Sequence, residues 1–272
     1  MSVKMCRIIE VIEELAPISL SEEWDNVGLL VGRQDADISR ALIALDVLDS
    51  VIDEALACGA TAIISHHPLI FSPLNRINDA NPLGKRLMRL IENGICVYAA
   101  HTNLDTAEGG INDMLFDTLG FTNKEHVCET RPGVFVGRAG TPSESITLSE
   151  LAKLVQNKLG LSTATYCGLG DAKVSKIGLI AGSSANPDFF KGAIAAGCDT
   201  FITSDIKFAM AQAASDMGLN LIDATHYGSE ALFAGKLVGY LAARLPNVEF
   251  IASEVDGQIF KTVCSNNEVY HA

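Results

Sequence analysis

Apolar residues first recur at helical spacing, at Ile8, Ile9, Ile12 and Leu15, with charged residues between them and Pro17 as a stop. The pattern then changes. Six short runs, RALIALDVL, TAIIS, ICVYAA, KIGLIAG, TFITS and NLIDAT, are continuously apolar and rich in β-branched residues, which predicts strands buried on both faces. Between them, PLGKRLMRLIENG and SELAKLVQNKLG alternate at the helical period, and Thr147 with Glu150 forms a capping box at the start of the second. SEALFAGKLVGYLAARL predicts a further helix near the end of the chain. Strands alternating with helices predict an α/β architecture with mixed, largely parallel sheets.

The pattern also repeats. ALIALDVLDSVIDEALACGATAIISHH (41–67) lies over LIAGSSANPDFFKGAIAAGCDTFITSD (179–205) without a gap, and Gly59 falls on Gly197. After a shorter connector in the second copy, GICVYAAHTNLD lies over LNLIDATHYGSE, so that His101 falls on His226 and Asp105 on Glu230. Strand–helix–Gly–strand units resemble one another anyway. The coincidence of H-x-x-x-D with H-x-x-x-E at the same strand end is the stronger sign of duplication. We therefore expect two α/β repeats, residues 1–125 and 126–272, with the turn-rich CETRPGVFVGRAGTPSES as the candidate boundary.

Composition narrows the classes. Of 272 residues, 48% are hydrophobic and 19% charged, the balance of a chain that packs a core. A net charge of −13 repels polyanions, so nucleic acid is not an expected partner, although a small anion can dock where bound cations reverse the local sign. Seven cysteines, Cys6, Cys58, Cys96, Cys128, Cys167, Cys198 and Cys264, form no C-x-x-C pair and mostly lie in apolar runs, which fits reduced thiols and a cytoplasmic location. The N-terminal segment interrupts its apolar residues with charges, unlike a signal peptide or a membrane span.

The candidate chemistry sits where the strands end. In open α/β sheets, ligands collect beyond the carboxyl ends of the strands. His66 and His67 close AIIS, His101 and Asp105 follow CVYAA, and His226 and Glu230 follow LIDAT. Adjacent strand residues point to opposite faces, so two neighbouring histidines can converge only if the strand has ended. Pro68 enforces that end. Taken singly, each residue has an ordinary reading: the His66–His67 pair as a loop surface, His101 as a core histidine, Asp105 as a helix cap, Glu230 as an acidic residue of a first helical turn. Together, four histidines and two carboxylates exceed one tetrahedral site and suit two ions roughly 3.5–4 Å apart, bridged by a carboxylate and a water. Imidazole with carboxylate favours Zn, Mn, Fe, Co or Ni over Ca or Mg. His126 and His271 are not placed by a strand end. The spaced glycines of GVFVGRAG open no helix and read as turn chemistry rather than a dinucleotide fingerprint. The sequence contains no Walker loop and no G-x-S-x-G elbow.

EEWDNVGLLVG, ISHHPLIF, AAHTNLDTAEGGIND and THYGSE, in that order, resemble the GTP cyclohydrolase I type 2 family, also called the Nif-three-like dinuclear metal-binding family. The resemblance spans nearly the whole chain, and 272 residues suit the short form that lacks an inserted middle domain. It implies two intertwined α/β repeats assembled as a toroidal homohexamer, with two divalent ions per subunit, Zn, Mn or Fe, facing an internal cavity. Motif by motif, the implied ligands are His66, His67, Asp105, His226 and Glu230, with Glu230 as the bridge. His101 stands beside them in a supporting or proton-transfer role, although the repeat itself would make it the equivalent of His226. Asp205, which aligns with His67, is expected to cap or to support a ligand. Trp24 is expected to pack, while Asp25 and Asn26 shape the nearby loop.

Two bridged ions would activate a shared water for attack on a nucleotide or related small substrate, with His101 shuttling the proton, which is a hydrolase arrangement. The family name implies ring opening of GTP at the purine C8. Positive groups for a triphosphate are sparse near the motifs, however. The alternative is a non-catalytic hexameric metal-binding scaffold or regulatory protein.

Overall fold

The computed structural model of the chain describes residues 2–263 and 269–271. Cys264 lies outside them; the six other cysteines are free thiols. The chain divides into two compact units that interleave in sequence, one built from residues 1–110 and 233–257, the other from 111–232 and 258–272.

The first unit is organised by a five-stranded sheet in the order Glu249–Ala252, Arg40–Ala44, Ala62–Ser65, Cys96–Ala99, Gly28–Val31. The first four strands run parallel, and Gly28–Val31 closes one edge antiparallel to Cys96–Ala99 with an irregularity after Leu29. Strands 41–44, 62–65 and 96–99 are buried on both faces, as their uninterrupted apolar runs predict. Leu42, Ile63 and Val97 enter a core with Val51, Ile52 and Ala55 from helix Asp49–Cys58 and Leu87 and Leu90 from helix Pro82–Glu92. Helix Met5–Leu15 buries Met5, Ile8, Val11 and Ile12, a stripe one residue off the spacing expected from Ile9 and Leu15.

The second unit repeats the plan. Its six-stranded sheet has the order Thr165–Cys167, Asn220–Asp223, Thr200–Thr203, Ile177–Leu179, Val134–Thr141, Thr122–Arg131. The three central strands are parallel, and antiparallel strands flank them on both sides. Phe201 of the central strand meets Phe190 of helix Pro187–Ala195 edge to face, with ring centroids 6.1 Å apart. The duplication holds at the level of hydrogen bonds. Gly59 and Gly197 both take positive φ, 72° and 82°, after their helices. The residue that follows each donates back into the last turn, Ala60 N to Ala55 O at 2.8 Å and Cys198 N to Ala193 O at 2.9 Å. Only glycine adopts that left-handed position without cost, which is why the two glycines align.

The capping box forms as predicted: Thr147 accepts from Glu150 N, and the Glu150 carboxylate accepts from Thr147 N at 2.8 Å. The helix predicted from SEALFAGKLVGYLAARL is instead two pieces, His226–Glu230 and Phe233–Arg244, and the break falls where the chain passes from one unit to the other. Periodicity alone could not show that break, because Ala231, Leu232 and Phe233 continue an apolar run across it with no Gly or Pro to mark a stop.

Candidate metal centre

In the first unit, strand Ala62–Ser65 delivers His66 and His67 at its carboxyl end. The strand stops there because Ser65 Oγ turns back onto His67 O at 2.8 Å and His67 N bonds Leu45 O at 3.0 Å. The neighbouring strand Cys96–Ala99 delivers His101, which caps the short helix Thr102–Thr106 and receives both Leu104 N and Asp105 N on its carbonyl. The three imidazoles converge: ring centroids are 5.0 Å apart for His66–His67 and His66–His101, and 5.6 Å for His67–His101. One ring nitrogen from each lies within 4.8 Å of the others. Asp105 joins them, with Oδ1 3.7 Å from His66 Nε2.

In the second unit, strand Asn220–Asp223 ends at Thr225, whose φ of 55° is rare for a β-branched residue. That turn is held by Asp223 Oδ1, which accepts from Thr225 N at 2.9 Å, and by Thr225 Oγ1, which accepts from Gly228 N at 3.1 Å. It starts helix His226–Glu230, in which His226 and Glu230 share a face one turn apart, with Nε2 and Oε2 3.1 Å from each other. Gly182, at the end of the first parallel strand, takes φ 66° and leaves the space that the Glu230 carboxylate fills, and a Cβ there would collide with Glu230 Oε1. Strained backbone at Asp205 and Thr225, both at φ 55°, is concentrated beside His226.

All four histidines are held in the same way. His66 Nδ1 donates to Ala100 O at 2.8 Å, His67 Nδ1 to Asp46 at 2.9 Å, His101 Nδ1 to Asp25 at 2.9 Å and His226 Nδ1 to Asp205 at 2.7 Å. A carbonyl or carboxylate can only accept, so Nδ1 carries a proton in each ring and Nε2 is left as the nitrogen that a cation would engage. This is the arrangement that orients histidines as metal ligands and raises their basicity. The residues present therefore fit a cation. His and carboxylate donors suit the first-row transition series, and each imidazole is oriented by its Nδ1 bond.

The electrostatics differ between the units. Burial works against ionisation of Asp25, yet bonds from the His101 ring and from Thr102 outweigh it and hold the carboxyl down to about 2. His226 is pushed up to about 9, chiefly by the Glu230 carboxylate, with Asp205 adding to it and burial opposing it.

Sequence reasoning found His66, His67, His101, Asp105, His226 and Glu230, and the structure brings the first four together within one unit and the last two within the other. It anticipated a supporting role for Asp205. It missed Asp46 and Gly182. Asp46 stands in the apolar run before helix Asp49–Cys58, and its only sequence signal is a charged residue two positions past a buried strand. Trp24 does not pack as expected: the indole is 60% exposed, because the loop is anchored by the polar residues that follow it. Asp25 bonds His101 and Thr102, and Asn26 Nδ2 donates to Ile70 O.

An α/β fold with duplicated strand-end clusters of histidine and carboxylate defines a class of proteins whose strand ends could hold a metal ion. The chain belongs to the Duf34/NIF3 (NGG1p interacting factor 3) family, whose model matches residues 3–258. It is 37% identical over 255 residues to a GTP cyclohydrolase 1 type 2 homolog of Clostridium perfringens, covering 92% of this chain and 96% of the relative. A protein of the same name from Clostridium acetobutylicum is 36% identical over 270 residues, 96% of this chain and 100% of the relative, so it too has no room for an inserted domain. Among solved structures, a Bacillus cereus protein related to NIF3 superposes with TM-score 0.88 at 25% identity, covering 96% of this chain and 99% of that one. A Staphylococcus aureus hypothetical protein gives TM-score 0.88 at 28% identity with the same coverage. Among the described residues, no helix is long and apolar enough to cross a membrane.

Proposed function

We propose that the protein is a divalent-metal-dependent hydrolase in which His66, His67, Asp105, His226 and Glu230 would hold two cations. The observation that carries this reading is that the three histidines proposed as ligands have Nδ1 engaged by an acceptor, which leaves Nε2 as the ligand atom. Serving one dinuclear centre with both clusters rests on the motif order shared with the family. Zn, Mn and Fe suit the donors best. When bound, the cations supply Lewis acidity and bring the pKa of a coordinated water toward neutrality.

The chain's own residues supply the rest. His101, with its Nδ1 proton given to Asp25, presents Nε2 as a proton acceptor, and the ionised Asp25 stabilises the imidazolium that forms. Asp46 and Asp205 keep His67 and His226 oriented through each cycle. A nucleotide or related small molecule is the substrate class, in line with the relatives' name, and a homohexamer is the assembly that the family resemblance supports.

The test is reconstitution with Zn, Mn or Fe, elemental analysis, and a substrate panel of GTP, other nucleotides and phosphoesters. Turnover with about two ions per chain, abolished by His67→Ala and by Glu230→Ala, supports the reading. Two ions bound with no turnover on the whole panel would favour a metal-binding scaffold. Retention of both ions by His67→Ala and Glu230→Ala would sink the ligand assignment.

A further inference from the structure

The mouth of the first cluster carries two large aromatic side chains that the fold does not need. Trp24 is 60% exposed and Phe71 53% exposed. Each sits on a loop that is otherwise tightly tied. Asp25, directly after Trp24, accepts from the His101 ring and the Thr102 backbone, and Asn26 Nδ2 bonds Ile70 O, beside Phe71. These polar ties bring the two loops together and set the rings 5.9 Å apart at a 48° tilt. The indole also stands edge-on to His101, at 6.2 Å and 76°.

We infer that Trp24, supported by Phe71, is a stacking platform for the planar nitrogen heterocycle of a substrate, which it lays beside His101. The inference rests on reading the histidine cluster as a reaction centre. A centroid separation of 5.9 Å is too small to sandwich a third ring, since two stacked spacings need about 7 Å, so the ligand ring lies on the open face of the indole and Phe71 steadies the indole itself. The indole centroid is 6.2 Å from that of His101, so the platform borders the histidine cluster. A heteroaromatic base offers the indole a full π-face and so gains more from stacking than an aliphatic ligand does. The platform selects for ring shape, and the metal ligands act on what that ring presents.

Trp24 is the only tryptophan in the chain, so its fluorescence reports on the platform directly. Guanosine and adenosine should quench it saturably in both metal-free and metal-loaded protein, while ribose 5-phosphate and inorganic triphosphate should not. By calorimetry, Trp24→Ala should weaken guanosine binding about 5- to 150-fold, and Trp24→Phe should restore most of it. Phe71→Ala should weaken the quenching by a smaller factor. Trp24→Ala must keep the metal content of the unsubstituted protein, which separates loss of stacking from loss of the centre. Saturable quenching in a protein that binds no stoichiometric metal would leave the platform standing and remove the hydrolase reading. Absence of quenching by either nucleoside, equal quenching by ribose 5-phosphate, or an emission maximum that shifts with protein concentration alone would overturn the inference.

Discussion

The two strand-end clusters are copies of one scaffold that have been finished differently. In the first unit, three imidazoles converge and draw their acceptors from outside the group: Asp46, Asp25 and the Ala100 carbonyl. In the second, a single imidazole lies between two carboxylates, Asp205 on Nδ1 and Glu230 on Nε2. Position 67 of the first repeat aligns with position 205 of the second. Where the first copy has a histidine facing the site, the second has an aspartate that supports the histidine of the next strand. His101, which aligns with His226, cannot be supported from position 67, because an imidazole stands there. It takes Asp25 from a loop that precedes the repeat instead. One substitution between copies thus explains why the WDN loop is needed on only one side.

The surroundings differ too, and that gives the largest expected effect. In the second unit, Asn112 Oδ1 accepts from Ala181 N beside Gly182, and its neighbour Asp113 bonds the buried Arg138 at 2.7 Å and Lys124 at 2.9 Å. Removing one partner of a buried pair strands the other charge, so Asp113→Ala should cost about 3–5 kcal/mol of unfolding free energy in a denaturant titration. The half-exposed Asp46 in the first unit should show about 0–1 kcal/mol when replaced by alanine in the absence of metal. Equal losses at the two positions would erase the distinction between a buried polar scaffold and an apolar one.

Gly182 and Ala44 offer a sharper contrast, since they align in the repeat. At Gly182 both the left-handed φ and the space taken by Glu230 exclude a side chain. Gly182→Ala should push the Glu230 carboxylate aside and lower metal affinity about 10- to 100-fold, the scale seen when the groups that support metal ligands are lost. The reciprocal Ala44→Gly removes a buried methyl from a strand and should cost about 0.5–1 kcal/mol of stability or somewhat more, with metal content unchanged. Titration with a metal indicator reads the first, and denaturation reads the second.

The legible part of the molecule was the part that periodicity and repetition write twice. The six central strands, the flanking helices, the capping box at Thr147 and the aligned glycines at 59 and 197 all follow from local rules, because their side chains are chosen by burial and by backbone conformation. The strand-end histidines were legible because His66–His67–Pro68 cannot be a strand interior. The supports were not. Asp46 and Asp25 reach their histidines across 21 and 76 residues of sequence, and no spacing rule connects them. The turn-rich stretch 128–145 instead forms the end of strand 122–131 and the whole of antiparallel strand 134–141, because polar exposed positions and glycines resemble a loop in sequence. Gly137 and Gly140 are there because side chains and backbone of neighbouring elements approach too closely for a Cβ.

The smallest expected effect concerns protons, and it separates the two clusters by pH. His226 is raised to about 9 by Glu230 and then Asp205, so at pH 7 without metal its ring is cationic, and a cation must displace a proton to bind there. Metal binding at the second cluster should therefore release close to one proton at pH 7, with a contribution from this group that strengthens affinity up to about tenfold per pH unit and levels off above pH 9. Calorimetry in buffers of different ionisation enthalpy counts that proton. Glu230→Gln removes the main cause and should bring the ring back toward its ordinary value near 6.5, so that the release at pH 7 falls well below one. The same sign governs stability without metal. Because the folded pKa lies above the unfolded one, the His226 contribution is complete below about pH 6.5 and disappears as pH rises through about 9. Asp25 runs the opposite way: held at about 2, it stabilises the first cluster above its ordinary value of 3.8 and loses that contribution as pH falls toward 2. Alkaline loss that is abolished by Glu230→Gln, together with acid loss that is abolished by Asp25→Asn, would assign one limb of the stability profile to each cluster. A profile in which both substitutions moved the same limb would show that the two clusters titrate as one.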